Sequence, residues 1–156
     1  MALDVWVIGT NPPCPRCALL GQRVEHVMKT NDIAGICRHF GYDDSQVQQL
    51  AKSLGFQIGT AKDVARLYNV EIDLDSVTQI IARQIYAVAR RRQCIPDEVS
   101  QAERWTPELD IALQPFQEIA RSKGFLMTPV LVVDGVVKWH GSVPSEEWIA
   151  GQLLRR

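Results

Sequence analysis

Seven residues, Asn11-Pro12-Pro13-Cys14-Pro15-Arg16-Cys17, join a β-rich run to a helical one. Leu3-Asp4-Val5-Trp6-Val7-Ile8 is nearly continuous in apolar character, as a buried strand requires. Beyond the cysteines, Cys17, Leu20, Val24, Val27 and Met28 recur at helical spacing, and the helix runs to about Lys29. A buried strand that passes through so short a joint into an amphipathic helix points to an α/β layering, with helix packed on sheet.

The joint itself carries chemistry. Two cysteines three positions apart, on one turn of helix, bring their sulfurs side by side and close enough to bond. Cys14 falls at or near the N-cap, where unpaired backbone N–H groups and the positive end of the helix dipole favour thiolate over thiol. Pro15 suits the first helical position, because its missing N–H would have no partner there. Arg16 adds a positive charge with the same effect on the thiol. The pair reads as a low-pKa nucleophile, Cys14, with a resolving cysteine, Cys17, beside it.

Further along, Ile33 to Phe40 reads as a second strand. From Asp43 to about Arg104 the pattern is helical. Val47, Leu50, Ala51 and Leu54 share one face, and Gly55 suits the position after a helix. Thr60 can cap a short helix with Val64, Leu67 and Tyr68 inward. Val77, Ile80, Ile81, Ile85 and Val88 form the clearest apolar stripe. Asp75 or Ser76 can cap that helix, and Arg90-Arg91-Arg92 complements its negative end. Cys94 to Trp105 reads as a connection. Thr106-Pro107-Glu108 opens another helix, in which Pro115 predicts a kink or break. Val130 to Val133 and Val136 to Trp139, joined by Asp134-Gly135, predict a hairpin, and Pro144 to Leu154 a last helix. The sum is a mixed α/β sheet in the order β-α-β-[helices]-α-β-β-α.

Bulk properties narrow the function. The 156 residues suit one domain, or one domain with a large insertion, and 46% hydrophobic residues suffice for a core. A net charge of −1 gives no electrostatic case for nucleic acid or an acidic membrane surface. The first residues lack a basic signal-peptide start, and no apolar run approaches the ~20 residues that span a bilayer. The cytoplasm is the expected compartment. In a reducing compartment a Cys-x-x-Cys is catalytic or metal-binding rather than a structural staple.

The strand–Cys14-Pro15-Arg16-Cys17–helix order, together with Met127-Thr128-Pro129-Val130-Leu131-Val132-Val133-Asp134-Gly135, resembles the thioredoxin superfamily. The likeness is strongest to the small thioredoxin-like proteins of archaea and bacteria. It covers roughly residues 3–41 and 106–155, with residues 42–105 as a helical insertion. The domains implied are a core of residues 1–41 and 106–156 and an insertion of residues 42–105. The resemblance implies a cis peptide bond before Pro129, which would lie against the cysteines, and a Thr128 whose backbone aligns substrate. Pro13, Pro15 and Arg16 would complete the substrate-binding surface. It also implies thiol–disulfide exchange with no cofactor or metal. The partners would be a disulfide-containing protein or a small thiol, and an unidentified electron donor. Two departures stand out. Pro13 replaces the tryptophan usual before the first cysteine, and the small members have no such insertion. Disulfide-forming oxidants of the DsbA type and kappa-class glutathione transferases do carry helical insertions.

Other readings compete. A glutathione-dependent transferase or isomerase would use the same fold. A metal-binding or regulatory module could draw on Cys37 and Cys94, although neither lies in a second Cys-x-x-Cys and the spacings match no common zinc motif. Cys37 reads rather as a small buried residue on the second strand, and Cys94 as an incidental loop cysteine. Residues 50–67 have helix-turn-helix-like spacing, but balanced charges over residues 43–69 offer no phosphate-binding surface, so a helical hairpin is the plainer reading. His26 and His39 read as surface or strand-end residues. His140, beside Gly141, could transfer protons if it neared the site.

Overall fold

The computed structural model describes residues 2–154. The first strand, β1 (Leu3–Gly9), leads into helix α1 (Pro15–Thr30), and the chain returns as β2 (Gly35–Gly41), parallel to β1. A long excursion follows: α2 (Ser45–Leu54), β3 (Gln57–Gly59), α3 (Ala61–Leu67), α4 (Leu74–Arg92) and two single 3₁₀ turns. Then come α5 (Pro107–Ser122), β4 (Phe125–Met127), β5 (Val130–Val133), β6 (Val136–His140) and α6 (Glu146–Leu154). The main sheet has the order β2-β1-β5-β6, with β5 antiparallel to both of its neighbours. This is the mixed α/β arrangement with a helical insertion that the residue pattern predicts.

Alternation along β1 and β5 divides the core. Val5 and Val7 stand opposite Val133 and Leu131, and these four pack with Leu20, Val24 and Val27 of α1 and Ile149 and Leu153 of α6. On the other face Ile8, Val130 and Val132 pack with Val47 of α2 and Leu126 of β4. A third cluster joins the insertion to α5, where Val64 and Ile80 meet Leu109, Leu113, Phe116 and Phe125. Asp134 and Gly135 have φ of 49° and 81°, the doubly left-handed turn that suits the twist of a two-residue hairpin.

Several local expectations need correction. β3 and β4 pair in parallel as a separate two-stranded sheet, and both are absent from the pattern-based reading. Because β3 lies between them, α2 and α3 form neither a helical hairpin nor a helix-turn-helix. Helix α4 is capped earlier than Asp75 or Ser76, by Asp73, whose carboxylate accepts from the Ser76 N–H. Thr106 takes the N-cap position of α5 but its hydroxyl makes no cap hydrogen bond. Helix α5 runs unbroken through Pro115. Pro115 and Ile111 both lie on its exposed side, so water can satisfy the Ile111 carbonyl that loses its partner.

Candidate active site at the start of the first helix

Cys14 is the N-cap of α1, and its sulfur accepts from the Cys17 N–H at 3.5 Å. Pro15 occupies the first turn. The loop before it is held by Thr10, whose hydroxyl accepts from the Cys14 N–H at 2.9 Å and donates to the Pro12 carbonyl at 2.9 Å. Gly9 lets the helix sit close to the strand. A Cβ there would lie 2.3 Å from the Cys17 sulfur, closer than any side chain could tolerate. Neither Gly9 nor Thr10 stood out in the sequence. The available signal was a glycine and a hydroxyl residue between the last strand position and the prolines.

Both thiols are free and their sulfurs are 3.0 Å apart. Their environments differ. Cys14 is partly exposed, whereas Cys17 is 2% exposed and lines a cavity of about 90 Å³ with Gly9, Thr10, Asn11, Pro13 and His39. The hydrogen bond from the Cys17 thiol outweighs burial and, with the Cys17 N–H and the Arg16 charge, lowers the Cys14 pKa to about 6. Cys17 moves well upward, because it donates to Cys14, is buried and faces the Cys14 charge. At neutral pH the pair therefore holds one thiolate, on Cys14, and one thiol, on Cys17.

This asymmetry has a measurable pH signature. Alkylation of the reduced protein by iodoacetamide should titrate at Cys14 with a midpoint near pH 6, falling about tenfold per pH unit below it. A midpoint near 9, the ordinary thiol value, would contradict the assignment. The sign also bears on stability. The folded pKa lies below the unfolded one, so the thiolate stabilises the folded, reduced chain fully above pH 9. That contribution is lost as pH falls from 9 through 6.

Arg16 is where the structure departs most from a local reading of the motif. It is 6% exposed. Its Nε donates to Asp110 Oδ1 of α5 at 2.7 Å, Nη1 to the Thr128 carbonyl at 3.2 Å, and Nη2 to the Gly141 carbonyl. Asp110 Oδ2 in turn accepts from the Val143 N–H at 2.9 Å. One guanidinium thus ties the first turn of α1 to α5, to the segment before β5 and to the loop after β6. Nothing in the sequence marks Asp110, since an acidic residue early in a helix is explained by the dipole alone.

Arg16 also brings Thr128-Pro129 to the cysteine helix. The Thr128–Pro129 peptide bond is cis, as is Asn11–Pro12. Thr128 and Pro129 are buried, and the Pro129 carbonyl accepts from the Gly141 N–H at 3.0 Å. The Thr128 N–H donates to the Gly59 carbonyl of β3 at 2.8 Å. The Thr128 backbone is thus held at both its N–H and its carbonyl, by Gly59 and by Arg16. Pro13 is exposed beside the pair and Pro15 is half-buried.

The remaining candidates lie elsewhere. His140 ends β6, accepts from the Met127 N–H at 3.4 Å and lines a cavity with Phe56, Arg121 and Phe125 that neither cysteine reaches. Burial, with the nearby Arg121, lowers its pKa. His26 pairs with Glu146 at the surface. Cys94 packs against Val88, Ala89 and Val99. Cys37, on β2, is half-buried, and burial with the Glu25 charge pushes its thiol up to about 12, so it is a poor nucleophile. The four cysteines do not converge into one metal centre among the described residues.

A thioredoxin-domain family profile matches residues 95–153. That span holds α5, β4, the hairpin and α6, and the cysteine pair lies outside it. The chain resembles the crystal structure of a Pseudomonas syringae protein provisionally named a protein-disulfide isomerase. The two are 13% identical, 96% of this chain and 92% of the other are covered, and the TM-score is 0.34. No curated protein matches the chain. The architecture and the family match together give a thioredoxin-superfamily fold with a Cys-x-x-Cys pair at the start of its first helix. Among the described residues no helix is long and apolar enough to cross a membrane.

Proposed function

We propose that this chain is a thiol–disulfide oxidoreductase in which Cys14 attacks and Cys17 resolves. The observation that carries this is the asymmetry of the pair: a partly exposed, acidified thiol in contact with a buried thiol of raised pKa. The Cys14 thiolate attacks one sulfur of a substrate disulfide, forming a mixed disulfide and releasing a thiolate that takes up a proton. Cys17 then gives up its proton and attacks the Cys14 sulfur. The second substrate thiol leaves and a Cys14–Cys17 disulfide remains. Two electrons have passed to the substrate, with one proton from Cys17 and one from solvent, and an external dithiol of unidentified nature must return the electrons.

Pro13 and Pro15 adjoin the attacking cysteine in the chain, and Pro129 would close the site from the β5 side. Arg16 and Thr128 act mainly by holding that side against the helix. The core of residues 1–41 and 106–156 would supply the chemistry, and the insertion, residues 42–105, would shape client choice. The chain would act in the cytoplasm, on protein or small-thiol disulfides.

The Cys17→Ser variant tests the order of attack and the substrate class. It should accumulate mixed disulfides through Cys14 when exposed to a cell extract, seen as slower bands on a non-reducing gel that collapse on reduction. Adducts confined to glutathione would assign a small-thiol substrate. Absence of any adduct on Cys14 would overturn the proposal.

A further inference from the structure

The face of α1 turned toward β2 carries groups that disulfide exchange does not use. Cys17, Gly21 and Glu25 follow one another at intervals of four along the helix, so they share a face. Cys37 and His39 are two apart on β2, opposite Val5 and Val7, and so project to the same side of the sheet as those two. Their side chains meet that of Glu25: one ligand atom from each of Glu25, Cys37 and His39 lies within 4.8 Å of the others.

We propose that Glu25, Cys37 and His39 form a binding site for a zinc-class divalent cation, with water as the fourth ligand. The donor set is one thiolate sulfur, one imidazole nitrogen and one carboxylate oxygen. That combination suits zinc and not the hard cations, which demand oxygen ligands throughout. Tetrahedral zinc with these donors needs ligand atoms about 3.3–3.6 Å apart, from bond lengths near 2.0–2.3 Å. His39 Nε2 and Glu25 Oε1 are already 3.8 Å apart. Small side-chain rotations close the rest.

Two further observations favour a ligand over a plain ion pair. The His39–Glu25 separation exceeds hydrogen-bond range, and no hydrogen bond joins any two of the three groups, so their ligand atoms lie near one another without satisfying one another. The His39 ring also fits the helix. It lies against Gly21, where a Cβ would come within 2.0 Å of its Cε1 atom, so the helix leaves a notch that takes the imidazole. A ring seated there already faces Glu25 as a ligand must. The His39 and Glu25 side chains are 40% and 61% exposed, which gives an ion an entry path and leaves the fourth position open to water. Binding would displace the Cys37 proton and clamp edge strand β2 to α1.

The test uses the full chain with its redox pair removed, Cys14→Ser/Cys17→Ala, titrated with cobalt(II) and then with zinc. One cobalt per chain should bind, with a sulfur-to-metal charge-transfer band that zinc abolishes. Adding Cys37→Ser should eliminate the band. Glu25→Gln, at an exposed position that will not disturb folding, and His39→Gln should each weaken cobalt binding at least about tenfold, the lower end of what even a supporting partner contributes. Failure of the redox-free variant to bind cobalt would overturn the proposal, as would a charge-transfer band that survives Cys37→Ser. Neither outcome depends on whether the Cys14–Cys17 pair exchanges disulfides.

Discussion

Replacing Cys14 with serine should lower disulfide reduction by at least about three orders of magnitude, the scale on which loss of a nucleophile acts. A serine hydroxyl at the N-cap keeps the helix start, since serine is among the preferred capping residues. The fold should therefore survive, and the loss should be in turnover and not in stability. Cys17 cannot take over. Its thiol is 2% exposed, and its burial, which still disfavours the thiolate once Cys14 is gone, leaves a substrate little access and little thiolate. The check is insulin reduction with dithiothreitol as donor, read beside a thermal melt. Turnover within tenfold of the parent would remove Cys14 from the mechanism.

The second large effect is on stability. Asp110→Ala should destabilise the chain by about 3–5 kcal/mol, the usual cost of stripping one partner from a buried ion pair. The side chains of Arg16 and Asp110 are only 7% and 15% exposed, so water cannot replace the lost carboxylate well. The Val143 N–H also loses its acceptor. Because Arg16 binds the Thr128 and Gly141 carbonyls as well, the damage should spread to the segment beside the cysteines. Urea denaturation of the reduced protein measures the first effect. A loss below about 1 kcal/mol would mean that the brace across α1, α5 and the loop after β6 is not structural.

Much of this architecture is legible in the residues. The β1–α1 junction, the Asp134-Gly135 hairpin and the apolar stripe of α4 are local patterns, and each appears where its period and turn chemistry place it. What escapes the sequence is non-local. β3 and β4 are three residues each, too short to show a period, and exist because Gln57–Gly59 and Phe125–Met127 meet across the chain. Arg16 illustrates the same limit. Beside two cysteines its charge suggests an effect on the thiolate, and it has one, ranking below the Cys17 hydrogen bonds. Its burial depends on α5, more than ninety positions away. The proton placement within the pair follows first from the hydrogen bonds that Cys14 receives from Cys17, with the burial of Cys17 adding to it. The packing of Cys17 depends on the close approach of α1 to Gly9.

The central claim is that Cys14 and Cys17 form a reversible redox couple. Equilibration of the protein in glutathione buffers of graded poise, followed by acid quenching and peptide mapping, tests it directly. The account predicts one two-electron transition in which Cys14 and Cys17 become joined to each other while Cys37 and Cys94 stay reduced. A pair that remains dithiol at every poise, or oxidation that begins at Cys37 or Cys94, would contradict it.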